Sequence, residues 1–312
     1  MGIPAPLLQA RRLGAALYYG SLRGLGLTAL ERRFRDAGLI LCYHNVVPTG
    51  DAGSGDPSLH VPRERFQEQM RWLREHYRVV SLRELVDRLA AGRSVRAMAA
   101  VTFDDGYAGV FEHALPILRA FDMPATVFVV AEAVGRRAGF WWDQPEIVEA
   151  ATPERREQWL KEMRGDGAAI VAAGVPPTST RILPASHRPA AWTTIRAALD
   201  LGTELGVHSA SHRSLPTLGD TELEYEVVAS REAVYRATGT RPEFFAYPYG
   251  HWDSRVRARV RAAGYRAALT LDDGRNGADA DPWGLHRVNV PAAISDAAFE
   301  AWSAGFHGRR SA

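Results

Sequence analysis

From Gly38 onward, short apolar segments alternate with longer amphipathic ones. The spacing of Phe66, Met70 and Leu73 predicts a helix over 63–76, with these side chains on one face. The apolar segments predict strands near 40–43, 79–80, 98–103, 125–130, 205–208, 244–247, 267–271 and 285–290. Strands that alternate with helices are typical of an α/β domain built on a parallel sheet.

Two regions fall outside this rhythm. Residues 1–37 form a basic, partly apolar extension, in which arginines interrupt the leucines. A signal peptide needs an unbroken apolar core, so we expect a helix packed on the domain, with peripheral membrane contact as the alternative. Residues 131–190 contain Trp141 and Trp142 and no second core, so we interpret them as an insertion within the domain over 38–312. The tryptophans suit either hydrophobic anchoring or stacking on sugar rings.

Composition excludes several classes of protein. With 46% apolar and 24% charged residues, the chain can form one sizeable core. A formal net charge of +2 gives no electrostatic argument for a nucleic-acid partner. Cys42 is the single cysteine, so an internal disulfide is excluded, and its apolar strand predicts a buried thiol.

Candidate chemistry begins where the strand over 98–103 ends. Asp104 and Asp105 follow it directly, and Gly106 frees the backbone so that both carboxylates can turn toward one centre. The same tripeptide recurs at 272–274, which shows that a solvated turn is the competing interpretation. The apolar strand before the first copy favours a functional role.

Two histidines follow about a hundred residues later. His208 and His212 are four residues apart and can face one way on a helical turn or a tight loop. Two imidazoles and one carboxylate form a three-ligand site for a catalytic divalent metal, with a position open for water. The second carboxylate is then free to act as a base. The sequence therefore predicts a metal-dependent hydrolase.

These strings also resemble a known family. TFDDGY over 102–107, HSASH over 208–212 and FFAYPYG over 244–250 are similar to the motifs of polysaccharide deacetylases, the NodB-homology carbohydrate esterases. The apolar strand ending at His44 resembles their acid-histidine strand, which comes last in many members. Its early position is similar to the circularly permuted branch that acts on exopolysaccharide amino sugars. The resemblance implies a distorted (β/α)7-type barrel, with its site at the carboxyl ends of the strands.

The resemblance also implies a role for each residue. Asp105, His208 and His212 are the expected metal ligands, for Zn²⁺ or else Co²⁺, Ni²⁺ or Fe²⁺. Asp104 is the expected base. His44 is the expected acid that protonates the departing amine, and the backbone N–H of Tyr249 is expected to hold the oxyanion.

One departure from the family pattern leaves alternatives open. Members with the common order carry an arginine that steadies the base, and Ala246 stands at that position here. The role of nearby Arg241 stays open, and His286 is a rival of His44 for the acid. The missing arginine leaves a non-catalytic glycan-binding relative as the main alternative. A non-haem Fe(II) oxygenase fits the paired histidines and the α/β rhythm poorly.

The expected substrate is an amino-sugar glycan or a lipid-linked saccharide. Without a convincing export signal, we expect a cytoplasmic enzyme, which could lie at the inner face of the membrane.

Overall fold

The computed structural model of the chain describes residues 5–173 and 183–307, with side chains from residue 13 onward. The predicted extension, insertion and domain therefore each reach residues that lie outside this description, namely 1–4, 174–182 and 308–312.

Eight parallel strands form one curled sheet. They are Leu39–Tyr43 (β1), Arg78–Val79 (β4), Met98–Phe103 (β5), Ala125–Val129 (β6), Glu204–Val207 (β7), Phe244–Ala246 (β8), Ala267–Leu269 (β9) and Val288–Asn289 (β10). Their order is β10-β1-β5-β6-β7-β8-β9, with β4 paired to β5. A separate parallel pair is formed by Asn45–Val47 (β2) and His60–Pro62 (β3).

The segment before β10 closes this sheet into a barrel. Leu285 forms a parallel bridge with Leu269 of β9, and three residues later Val288 pairs with Leu41 of β1. The two edges of the sheet are thus joined through an irregular seam over 285–289. The distorted (β/α) barrel expected from the sequence is confirmed.

Alternation along the strands separates two apolar layers. Leu39, Leu41 and Tyr43 of β1 belong to the outer layer beneath the helices, whereas Ile40 belongs to the inner one. This is the two-residue period of a strand whose faces are both buried. The inner layer also contains Leu85, from the helix that follows β4.

Helices pack against the barrel, most of them on its outer layer; the helix after β4 is the exception, because its Leu85 belongs to the inner layer. They are Arg63–His76 (α3), Leu82–Ala90 (α4), Leu115–Ala120 (α5), Trp192–Asp200 (α9), Asp220–Glu224 (α10), Ser230–Thr238 (α11), Ser254–Ala262 (α12) and Asp296–Ala304 (α13). A π-helical turn, Tyr225–Ala229, joins α10 to α11. The helix over 63–76 is therefore confirmed at both ends.

The extension and the insertion are also helical. The extension contains Ala5–Gly24 (α1) and Leu27–Phe34 (α2), and both helices contact α13. Between β6 and α9, the chain forms Pro145–Ala150 (α6), Pro153–Lys161 (α7) and Gly167–Ala173 (α8). Among the described residues, no helix has both the length and the apolar character needed to cross a membrane.

Candidate active site

Asp104 and Asp105 lie directly after β5, at the carboxyl end of the barrel. Asp104 continues the inward-facing series of Ala100 and Thr102, because alternate residues of a strand share a face. Asp105 has a φ of 69° and Gly106 a φ of 72°. This left-handed turn brings the second carboxylate to the same side as the first. A non-glycine residue in that region is uncommon and often marks a functional site.

His208 and His212 occupy a tight loop after β7. Ser209 and His212 both have left-handed backbone, with φ of 65° and 64°. The Ser209 hydroxyl accepts a hydrogen bond from the His212 backbone N–H at 2.9 Å. Of the two geometries that the spacing allowed, the structure has the loop.

Glu226 holds this loop from below. Its carboxylate accepts hydrogen bonds from the backbone N–H groups of Ala210, at 3.0 Å, and Ser211, at 2.9 Å, and also from the Ser211 hydroxyl. Glu226 is buried and lies on the π-helical turn after α10. Such turns are frequent at functional sites. No sequence motif marked this residue.

Three of the side chains converge on one point. The Nε2 atoms of His208 and His212 are 3.1 Å apart, and Asp105 Oδ1 lies 3.6 Å from the first and 3.4 Å from the second. Ligands about 2.0–2.1 Å from a tetrahedral Zn²⁺ are roughly 3.3 Å from each other. The separations therefore suit a divalent ion held by these three atoms.

The polar environment of the cluster also fits a cation. Asp105 Oδ1 is buried and has no hydrogen-bond partner among the described residues. Burial, and then the negative charges of Asp104 and Asp143, raise the pKa of Asp105 well above its usual range. His208 Nδ1 lies 2.8 Å from the Ala246 carbonyl oxygen, to which it can donate, and this leaves Nε2 as the lone-pair donor. A bound cation would balance the buried carboxylate.

Asp104 has a different partner. Its two oxygens accept hydrogen bonds from Arg287 Nη1 and Nη2, each at 2.7 Å, in a bidentate pair that is buried on both sides. Burial alone would raise the pKa of Asp104, but the charge of Arg287 and then that of His208 hold it well below its usual range. The Cys42 thiol also lies 3.5 Å from Asp104 Oδ2. Asp104 is thus an oriented, ionised carboxylate beside the three-ligand cluster.

Arg287, like Glu226, belongs to the candidate site and was missed by the sequence interpretation. It lies in the barrel seam, where its Nε donates to the Thr270 carbonyl at 2.8 Å. Alternation could have found it: Val288 and Val290 belong to the outer apolar layer, so Arg287 and Asn289 must face inward.

The family pattern places an arginine at position 246, where this chain has alanine, and Arg287 supports Asp104 instead. Ala246 contributes only its backbone carbonyl, to His208. Arg241 is exposed and pairs with Glu232 at 2.7 Å, away from the cavity. Arg241 therefore has no part in steadying Asp104.

The two candidate acids lie in different places. His44 lines the same cavity as the carboxylates, and its ring is within 4.8 Å of the nearest Asp104 oxygen. Burial lowers the pKa of His44 to about 4, and the opposing charge of Asp104 only partly offsets this. His286 is exposed and does not line the cavity. The geometry therefore favours His44.

Tyr249 completes the wall beside the histidines. It has a φ of 59° in the turn Pro248–Gly250, and its ring centroid is 4.4 Å from that of His212. Gly250 follows with a φ of 71°, and a Cβ there would lie 2.6 Å from Leu271 Cβ. This close approach fixes the turn that carries Tyr249, which lines the cavity.

A cavity of about 330 Å³ connects these groups, within the usual size range of small-molecule sites. The barrel contributes His44, Asp104, Asp105, His208, His212, Tyr249 and Asn289 to its lining. The insertion contributes Trp141, Trp142, Arg156 and Leu160. Arg156 pairs with Asp56 at 2.5 Å across the cavity. The insertion therefore shapes the cavity beside Asp105, His208 and His212.

A buried polar network fastens the insertion to the barrel. The Asp143 carboxylate accepts from the Tyr107 hydroxyl at 2.7 Å and from the Asp56 backbone N–H at 2.9 Å, and it contacts His60 Nε2 at 2.8 Å. The Trp142 indole N–H donates to the same Tyr107 hydroxyl at 2.7 Å. Trp142 thus serves as an anchor and as a cavity wall at once.

Comparisons with known proteins agree with this geometry. Residues 91–268 match the family model described as polysaccharide deacetylase. The chain is 22% identical over 265 residues to Bacillus subtilis YxkH, a protein named as a polysaccharide deacetylase, with 84% of this chain and 75% of that protein covered. It is 24% identical over 251 residues to the poly-β-1,6-N-acetyl-D-glucosamine N-deacetylase of Escherichia coli K12. That match covers 75% of this chain but only 34% of the relative's length.

Solved structures show the same fold. The IcaB structure from Ammonifex degensii superposes with a TM-score of 0.61 at 22% identity, covering 86% of this chain and 98% of the other. The Streptococcus pyogenes deacetylase PplD superposes with a TM-score of 0.60 at 17% identity, covering 83% and 94%. At these sequence identities, the structural similarity establishes the barrel fold alone.

Proposed function

The chain belongs to the polysaccharide deacetylase family, and on that premise we propose that it is a metal-dependent hydrolase that removes N-acetyl groups from an amino-sugar glycan or glycan precursor. The resemblance read from the sequence is thereby confirmed at the level of the family. The observation that carries the proposal is the convergence of Asp105, His208 and His212 beside the oriented carboxylate of Asp104.

The three-ligand cluster accounts for the first part of the chemistry. Held by Asp105, His208 and His212, a divalent ion such as Zn²⁺ would supply a Lewis acid that makes water more acidic and polarises the acetyl carbonyl. Asp104 accepts the proton that water loses as it attacks. Because Arg287 keeps Asp104 ionised and fixes both of its oxygens, the carboxylate is ready for this transfer at neutral pH.

The remaining steps fall to two further groups. The backbone N–H of Tyr249 donates to the carbonyl oxygen as negative charge develops on it. His44 protonates the departing amine, so that the C–N bond breaks to give acetate and a free amino sugar. Since a pKa of about 4 leaves the imidazole neutral at pH 7, His44 receives this proton within the catalytic cycle from Asp104, which took it from water and has an oxygen within 4.8 Å of the His44 ring. Both side chains thereby return to their starting states.

Amino-sugar substrates are supported by one relative's name, poly-β-1,6-N-acetyl-D-glucosamine N-deacetylase. A lipid-linked saccharide and a cytoplasmic location stay predictions from the sequence. The non-catalytic alternative rested on the missing arginine, and Arg287 supplies that support from another strand. A non-haem oxygenase would be expected on an antiparallel β-fold, whereas the sheet here is parallel.

The test is acetate release from N-acetylated glucosamine oligosaccharides, with and without a chelator. We expect chelation to abolish turnover and added Zn²⁺ or Co²⁺ to restore it. Asp104→Asn should lower kcat by roughly 10²–10⁴-fold while the protein still binds one metal ion, since a general base contributes about that factor. Turnover that resists the chelator would refute metal dependence, and full activity of Asp104→Asn would refute the base.

A further inference from the structure

The two N-terminal helices, α1 and α2, present an unusual surface. Eleven large apolar side chains are exposed in the described part of the chain, and seven of them lie between residues 13 and 34. They are Leu13, Leu17, Tyr18, Leu25, Leu27, Leu30 and Phe34. We call this set the N-terminal apolar face. Exposed apolar residues scattered singly are ordinary, but a cluster of this kind marks an interaction surface.

These helices are held on the barrel by their other side. Tyr19 and Leu22 are buried, and the Tyr19 hydroxyl accepts from the Trp302 indole N–H of α13 at 2.9 Å. Arg23 pairs with Glu300 of α13 at 3.5 Å. These contacts hold α1 on the barrel without any partner. The exposed apolar side chains of α1 point outward because the opposite face of the helix contacts α13.

The exposed apolar side chains follow the three- and four-residue spacing of a helix face. Leu13 and Leu17 are four residues apart on α1, with exposed fractions of 67% and 66%. Leu27, Leu30 and Phe34 follow the three- and four-residue spacing of one stripe on α2. Thr28, on the other side of α2, is buried. Each helix therefore carries one apolar stripe toward solvent.

The charge of the N-terminal segment indicates which kind of partner binds the N-terminal apolar face. Residues 1–35 contain six arginines and one acidic residue, Glu31, for a net charge of +5, whereas the whole chain has +2. The remainder is therefore net −3, and positive charge is concentrated on the segment that carries the apolar face. Apolar stripes flanked by arginines are the composition of helices that lie in the interface of an anionic bilayer. A symmetric dimer through this face would instead bring two such basic segments together.

We propose that the N-terminal apolar face docks the enzyme on the surface of a membrane containing anionic lipids. The helices lie in the interface, with the apolar stripes among the acyl chains and the exposed Arg33 and Arg35 near the phosphate groups. None of the residues of this face lines the catalytic cavity, so membrane attachment and deacetylation are separable.

The test is co-sedimentation of the full chain with vesicles of phosphatidylcholine alone or mixed with phosphatidylglycerol. We expect binding to the mixed vesicles, and at least about tenfold weaker binding to phosphatidylcholine alone or at high salt, because each basic residue near an anionic surface strengthens binding about fivefold. Leu17→Gln combined with Phe34→Gln should weaken binding by a similar factor.

A matched control distinguishes the loss of the N-terminal apolar face from a general effect of replacing exposed leucine. Leu201 is 62% exposed on the barrel, so Leu201→Gln should bind vesicles like the wild type. Acetate release from a soluble oligosaccharide should be unchanged in all these variants, which keeps this test independent of the proposed function. Absence of wild-type binding, or equal binding by Leu17→Gln with Phe34→Gln, would overturn the proposal. So would a wild-type dimer, seen by sedimentation velocity, that this double variant dissociates.

Discussion

The pair between Arg287 and Asp104 gives the sharpest prediction. In Arg287→Met, the apolar stem is retained but the buried carboxylate loses the two hydrogen bonds of 2.7 Å that balance its charge. Hydrogen bonds to charged groups contribute about 1.5–3 kcal/mol each, and breaking a buried ion pair on one side costs roughly 3–5 kcal/mol. We therefore expect the free energy of unfolding to fall by about 3–5 kcal/mol, which is a large part of the roughly 5–15 kcal/mol of a typical domain.

Catalysis should respond in a way that simple destabilisation does not reproduce. Arg287 lowers the pKa of Asp104 against the effect of burial, so its removal lets that pKa rise. The acid limb of kcat/KM against pH should move to higher pH, and the lost orientation of Asp104 should lower kcat/KM at pH 7 by at least about tenfold. Arg287→Lys keeps the charge but not the planar fork, so it should move the limb less.

The assay combines urea unfolding with pH profiles of acetate release. Unfolding of the wild type, Arg287→Met, Asp104→Asn and the double variant forms a cycle that isolates the pair from the other contacts of each residue. In the wild type, the contribution of Asp104 is fully present above about pH 4 and is lost only as the pH falls below that value, because its folded pKa is depressed. A coupling energy below about 1 kcal/mol, together with an unmoved acid limb, would refute this reasoning.

Three further predictions concern the metal ligands, their support and acid stability. His212→Gln should lose stoichiometric Zn²⁺, measured by atomic emission after dialysis, and retained metal would contradict its role as a ligand. Glu226→Gln should weaken metal binding about 10–100-fold in a competition with a chelating dye, because it loosens the loop that carries the histidines; an unchanged affinity would show that the loop holds itself. Burial lowers the pKa of His187 to about 4, so folding favours the neutral ring and stability should fall as the pH drops from about 6.5 toward 4. His187→Asn should flatten that fall in the urea midpoint, and an unchanged slope would exclude His187 as a source.

The site residues that directly follow strands were the ones that the sequence predicted well. An apolar run followed by Asp104 and Asp105 places two carboxylates at the edge of a parallel sheet, and His208 follows another such run. Since the carboxyl ends of parallel strands share one side of a barrel, the convergence follows from chain order alone. His44 could be placed in the same way, after β1.

The site residues that the sequence interpretation missed are brought into the site by tertiary packing. Arg287 is 183 residues from Asp104 in sequence, so alternation can place it on the inner face but cannot indicate that it pairs with this carboxylate. His286 was kept as a rival for the acid because it lies on a late predicted strand, although alternation assigns it to the outside. Glu226 acts through backbone N–H groups, which carry no sequence signature. The anchor between Asp143 and Tyr107 joins two loops that are unrelated in sequence.

The seam that carries Arg287 also orders the events of folding. During synthesis from the amino terminus, Asp104, Asp105, His208 and His212 all leave the ribosome well before residue 287. A nascent chain can therefore bring Asp105, His208 and His212 together while the carboxylate of Asp104 still lacks its partner Arg287. Docking of the last strand against β1 supplies that charge and seals the barrel in the same movement. We therefore expect hydrolysis only from chains that include the final strand, because Arg287 orients Asp104 from the segment that leads into it.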